Sequence, residues 1–232
     1  MKFWIPNAVT LCGAFAALLS LLWAPTRPYW ACNALIAASL FDMVDGRIAR
    51  MLGAQSDIGQ QLDSLVDVVA FGVAPAYLAY ASGLHSMQSV WNVPLGILPM
   101  FIFVACSAVR LAIFNAESDS TAGEFSGIPT PVAALLVITS VMTWHEMQWA
   151  PFGDTWFLAV VMTSAALLMV LPLPFQSFKS FKSRIAKFSY FGAMAGGVTM
   201  LVLQLPGGTV LFGFVSLYVL RGLGAAIFAP RT

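Results

Sequence analysis

Four aspartates in a fixed pattern interrupt a sequence that is otherwise apolar enough to live in a bilayer. The pattern reads Asp42-x-x-Asp45-Gly46-x-x-Ala49-Arg50, then eight residues, then Gly59-x-x-x-Asp63-x-x-x-Asp67. Asp57 lies inside the spacer and outside the pattern. A carboxylate left alone in hydrocarbon costs several kcal/mol. Whatever the chain folds into must therefore bring these acids together and neutralise them. Four spaced carboxylates in such surroundings point to a divalent metal.

The surroundings are unusual for a soluble protein. Hydrophobic residues make up 59% of the 232, charged residues 9%, and the mean hydropathy is +0.85. Soluble domains carry about a quarter charged residues. The chain is thus expected to be an all-α, polytopic membrane helical bundle. The net charge of +1 says nothing about partners, and no basic run suggests nucleic acid, so none is expected. Cys12, Cys32 and Cys106 lack metal-ligand spacing and read as small core residues.

About 20 apolar residues cross the hydrocarbon core. The sequence divides into eight such helices, roughly 8–24, 29–44, 58–81, 95–115, 128–145, 155–171, 191–205 and 209–228. Residues 1–7, with Phe3, Trp4 and Ile5 beside Lys2, read as a short interfacial helix along the membrane surface. The first apolar segment is expected to be a span and not a cleaved signal, because Pro25-Thr-Arg is a poor cleavage context. The whole is expected to form one integral-membrane domain, with a catalytic core over about 1–180 and two further spans within 191–228.

Basic residues set the orientation. With both termini inside, Lys2, Arg47, Arg50, Lys179, Lys182, Arg184, Lys187 and Arg231 fall in cytoplasmic segments, and only Arg27 lies outside. Arg110 and Arg221 sit in spans near their inner ends. The aspartate stretch then faces the cytoplasm across the cell (inner) membrane.

Spacing supplies the chemistry. Asp42 and Asp45 are three apart, Asp63 and Asp67 four apart, and either interval puts two side chains on one helical face. If the two helices lie side by side, all four carboxylates converge. An oxygen-only ligand set suits Mg²⁺, Mn²⁺ or Ca²⁺ and argues against Zn²⁺. Gly46 and Gly59 would let a phosphate or nucleoside approach the backbone, Ala49 would leave the way open, and Arg50 could fork onto phosphate oxygens. Each also has a blander reading: glycine as a helix-packing contact, arginine as a topology anchor, paired acids as loop caps. Jointly and in this order, the bland readings lose force.

At this point the residues resemble a known family. The complete pattern from Asp42 to Asp67 is similar to the signature of the CDP-alcohol phosphatidyltransferases. A narrower resemblance, to the membrane-embedded (type II) phosphatidylserine synthases, rests on Phe71-Gly-Val-Ala-Pro75-Ala, Arg110-Leu-Ala-Ile-Phe-Asn115, Gly127-Ile-Pro-Thr-Pro131, Ser177-Phe-Lys179 and the amino-terminal Ile5-Pro-Asn7-x-x-Thr10. One departure is Ile113, where that family usually carries a second arginine.

The resemblance implies a reaction of CDP-diacylglycerol with L-serine giving phosphatidylserine and CMP. It implies that Asp42, Asp45 and Asp63 hold divalent ions, Mg²⁺ or Mn²⁺ and two in number. Asp67 would complete the cluster and act as general base. Gly46, Ala49, Arg50 and Gly59 would shape the CDP-lipid pocket, with Asn7 and Thr10 as nucleotide contacts. Arg110 is the candidate cation for the serine carboxylate, with Arg47 and Asn115 as additions. Membrane lipids and a second copy of the chain, as a homodimer, are the expected partners.

Two other readings compete. The same chemistry could use another acceptor, such as glycerol 3-phosphate, an inositol or inositol phosphate, or choline. A phosphorylated acceptor should need extra basic residues near the metal, and only Arg47 and Arg110 offer themselves. A divalent-cation transporter is the reading from another class. Against it, the acids sit at one face, and the expected spans five to eight carry none.

Overall fold

The computed structural model describes residues 4–54, 56–90, 92–117, 127–148, 151–171 and 207–228. They form α1 (Trp4–Trp23), α2 (Pro28–Leu52), α3 (Asp57–Asp67), α4 (Ala74–Ser82), α5 (Ile97–Glu117), α6 (Thr130–Glu146), α7 (Thr155–Val170) and α8 (Gly208–Phe228). A π-helical turn, Val68–Val73, joins α3 to α4 without a break, so these make one long helix. The small remainder includes a 3-10 turn at Leu84–Ser86 and one antiparallel bridge between β1 (Ser89–Val90) and β2 (Val93–Pro94).

The helical runs Trp4–Trp23, Asp57–Ser82 and Ile97–Ala116 are each long and apolar enough to cross a bilayer. Thr155–Val170 and Gly208–Gly224 are apolar but shorter. The all-α membrane bundle expected from the sequence is therefore the fold observed. The expected span over 191–205, the Ser177-Phe-Lys179 motif and the basic group from Lys179 to Lys187 lie outside the described residues.

Two expectations need correction. Over residues 4–7 there is no separate interfacial helix, because Trp4 already begins α1. Pro6 does not interrupt it, since a first-turn residue has no intrahelical partner for the N–H that proline lacks. The second helix also does not end near residue 44. It runs to Leu52, because Ile48, Ala49, Arg50 and Met51 favour helix and nothing breaks it before Gly53.

Helices α1 and α2 pack side by side through small residues. A Cβ added at Gly13 would sit 3.5 Å from Phe41 Cβ and 3.7 Å from the Ala38 carbonyl oxygen. Close backbone approach of this kind holds helices together in lipid, where burial of apolar surface adds little. The most buried helix is α6, which contacts α2, α4, α7 and α8. Hydroxyls in its middle bond back along the helix: Thr139 donates to Leu135 O (2.8 Å) and Thr143 to Thr139 O (2.9 Å). On α1, Leu11, Phe15, Leu18 and Leu22 form an exposed stripe that suits lipid contact. Cys12 lies exposed on the same helix, so only Cys32 is a fully buried core cysteine.

Two local motifs have structural explanations. The π-helical turn precedes Pro75, whose missing N–H and bulky ring disturb a regular α-helical register toward Phe71. Gly127 has φ +89°, and an added Cβ there would press on the Leu168 and Met169 carbonyls at the end of α7. Ile128 N–H donates to Leu168 O at 3.0 Å, joining the start of α6 to the end of α7.

Candidate active site

The eight-residue spacer turns out to be a helix–turn–helix. α2 stops at Gly53, which takes the left-handed conformation (φ 57°, ψ 34°). Ala54 N–H then returns to Ala49 O at 2.9 Å. Ser56 caps α3 by accepting from Gly59 N–H at 3.1 Å. This short reversal lays the two halves of the aspartate pattern on neighbouring helices.

Of the four carboxylates expected to converge, Asp42, Asp63 and Asp67 do so. One carboxylate oxygen from each lies within 4.8 Å of the others, and all three residues are half-buried. These donors are hard, anionic and withdrawn from bulk water, which fits a hard divalent cation. Asp45 stands outside that group of three. It is buried, 4% exposed, and its Oδ2 accepts a 2.7 Å hydrogen bond from Thr10 Oγ1 on α1.

Beside the acids opens a cavity of about 490 Å³. α1 contributes Pro6, Asn7 and Thr10 to its wall, and α2 contributes Asp45, Gly46, Ala49 and Arg50. α3 supplies Gly59, Gln60 and Asp63. A narrower crevice continues past Thr10, Asp45 and Asp63 to Asp42 and Asp67. The cavity wall thus carries the exposed Arg50 together with the acids Asp45 and Asp63, the cation and the anions that a metal-bridged diphosphate would need.

The two signature glycines differ. A Cβ at Gly46 would meet only the Arg50 guanidinium, at 3.8 Å, so protein packing does not demand glycine there. A Cβ at Gly59 would press on Ser56 Oγ at 3.1 Å and Asn7 Oδ1 at 3.2 Å. Gly46 therefore leaves room in the cavity, whereas Gly59 also lets α1 and α3 come close.

Three of the expected contacts do not line either space. Arg47 is exposed on α2. Arg110 is buried, 4% exposed, on α5, three residues after Ser107, which packs against Gly72 of the π-helical turn. Asn115 reaches α3: its Nδ2 donates to Ser64 Oγ at 2.9 Å, and Ser64 Oγ lies 3.3 Å from Asn115 Oδ1.

Sequence reading passed over Ser56, Asp57, Gln60 and Ala54, all in the cavity wall. Ser56-x-x-Gly59 before an apolar helix was a readable cap signal. Glu146 was also passed over. It ends α6 and accepts from Gly207 N–H (3.1 Å), Gly208 N–H (2.8 Å), Thr209 N–H (2.9 Å) and Thr209 Oγ1 (2.9 Å) at the start of α8. So the fifth long helix does carry an acid, but one committed to four donors.

Comparison with known proteins gives the arrangement a context. The sequence matches the model of the CDP-alcohol phosphatidyltransferase family over residues 3–171. Three curated relatives are each named CDP-diacylglycerol–serine O-phosphatidyltransferase. That of Mycobacterium leprae is 35% identical over 177 residues, covering 73% of this chain and 57% of the relative. That of Helicobacter pylori strain J99 is 29% identical over 225 residues, covering 96% and 91%. That of Bacillus subtilis is 33% identical over 145 residues, covering 62% and 73%. The chain spans only 57% to 60% of the length of the mycobacterial relatives it matches. The family match takes in α1 to α7, the whole aspartate pattern and every residue of the cavity wall, and on that ground the chain belongs to the CDP-alcohol phosphatidyltransferase family.

Proposed function

We propose that the protein transfers the phosphatidyl group of CDP-diacylglycerol to the hydroxyl of L-serine, giving phosphatidylserine and CMP. The observation that carries this reading is the convergence of Asp42, Asp63 and Asp67 in a crevice that adjoins a cavity lined by Arg50. The names of the relatives supply the acceptor.

In this reading, Asp42, Asp45, Asp63 and Asp67 would hold two divalent ions, Mg²⁺ or Mn²⁺. Bound there, such ions neutralise the diphosphate and the charge that develops on its leaving oxygen. Arg50 grips phosphate oxygens, Gly46 and Ala49 leave space for them, and Gly59, Asn7 and Thr10 complete the CDP pocket. Asp67 takes the proton from the serine hydroxyl. The serine oxygen bonds to the phosphorus bearing diacylglycerol, the bond from that phosphorus to the bridging oxygen breaks, and CMP departs. Positioning and charge neutralisation suffice for one direct displacement. Arg110, Arg47 and Asn115, the residues expected to hold the serine carboxylate, line neither the cavity nor the crevice, so this reading assigns them no contact with serine.

The proposed setting is the inner membrane, with both termini and the site on the cytoplasmic side. There soluble serine meets a membrane-held CDP-lipid. The chain acts as one integral-membrane domain, and the family likeness supports a homodimer. The transporter reading gains nothing from Glu146, whose carboxylate is held by four donors.

The test is CMP release by detergent-purified protein given CDP-diacylglycerol, labelled serine and Mg²⁺ or Mn²⁺. Release with serine, lost on chelation and restored by metal, is expected. Silence with serine but release with glycerol 3-phosphate, inositol or choline would sink the serine assignment.

A further inference from the structure

We infer that Thr10 is a positioning residue for the metal site: its hydroxyl fixes the Asp45 carboxylate so that one oxygen is reserved for the ion. This rests on the metal reading above, and it assigns Thr10 a task other than touching the nucleotide.

Thr10 and Asp45 are both buried, 6% and 4% exposed, on different helices and 35 positions apart in the chain. At 2.7 Å their bond has the usual length for a hydroxyl donor and an oxygen acceptor. Thr10 Oγ1 also lies 3.1 Å from Pro6 O. A hydroxyl has one hydrogen, so it can donate to only one of these acceptors. Pro6 O sits four residues earlier in α1, where the Thr10 backbone N–H can serve it through the helical ladder. The shorter contact and the charged acceptor both favour Asp45.

The consequence is a division of labour within one carboxylate. Oδ2 is held by Thr10, and in this inference Oδ1 is the oxygen kept for the ion. Thr10 and Asp45 both border the open cavity and the deeper crevice, so the pair stands where diphosphate and ion would meet. Partners that orient a ligating side chain matter to affinity by about 10- to 100-fold. Without the hydroxyl, Asp45 could rotate, and its buried Oδ2 would have lost its donor.

The test titrates Mn²⁺ into substrate-free protein, reading free ion from its solution EPR signal, and compares wild type with Thr10→Val, Thr10→Ala and Thr10→Ser. Metal-activation curves for CMP release run alongside. Thr10→Val and Thr10→Ala should weaken Mn²⁺ binding about 10-fold or more. They should raise the Mn²⁺ needed for half-maximal rate by a similar factor. Thr10→Ser should stay within about 2-fold of wild type, since it keeps the hydroxyl. Thr10→Ser carries the test if the other two fail to fold, because weakened binding in it would overturn the inference. So would wild-type binding in a folded Thr10→Val or Thr10→Ala. Wild-type protein that binds no Mn²⁺ would overturn the metal reading itself, and this inference with it.

Discussion

Asn115 on α5 and Ser64 on α3 face each other in mutual hydrogen-bond contact, at 2.9 and 3.3 Å. Ser64 lies between Asp63 and Asp67, so this contact braces the stretch of helix that carries two of the acids. Asn115→Ala and Ser64→Ala should each lower turnover about 10-fold, and the double variant should lose little more than either alone. A coupling energy near 1 kcal/mol is expected from the cycle. Additive losses would show that the two side chains act separately.

Asp67→Asn and Asp45→Asn should fail in different ways. Asp67→Asn removes the proposed base, and CMP release should fall about 10³-fold while CDP-lipid binding is largely kept. Asp45→Asn should lose metal-dependent CDP-lipid binding as well. Equilibrium binding with and without chelator separates the two, and near-wild-type rates for both would refute the metal-site reading.

Gly46→Ala and Gly59→Ala should also part company. A methyl at Gly46 meets only Arg50, at 3.8 Å, so folding should be unaffected while KM for CDP-diacylglycerol rises. A methyl at Gly59 presses on Ser56 and Asn7, so thermal stability should fall too, by about 1 kcal/mol. Melting curves in detergent, read beside KM, distinguish a ligand-space glycine from a helix-packing one.

Glu146 joins α6 to α8 far from the acids. Its neighbour His145 lies with its ring 5.8 Å from that of Tyr29, at the opposite end of α2 from Asp45. Asp45 follows Tyr29 by sixteen positions, roughly 24 Å along the helix. Glu146→Ala strips a carboxylate from three backbone N–H groups and one hydroxyl, and should cost about 2–3 kcal/mol of stability. At temperatures where the variant stays folded, its kcat should match wild type. A lost kcat with unchanged melting would contradict a purely structural role.

Local patterns in the sequence are enough for the membrane bundle, the approximate helix positions and the identity of the acids. Hydropathy over about twenty residues and spacings of three or four are local quantities, and α1 to α7 follow them closely. The misjudged ends were local as well. Residues 45–52 are polar enough to suggest a loop yet favour helix, and only Gly53 stops them. Tertiary structure alone decided how the acids divide. Three converge within 4.8 Å, and the fourth is tied to Thr10. It also decided that Ser64 meets Asn115, 51 residues away, and that Glu146 caps a helix 63 residues on. Those pairings depend on how helices dock and which rotamers the dock permits. Short-range periodicity says which face a side chain takes, but not which atom of another helix will be there to meet it.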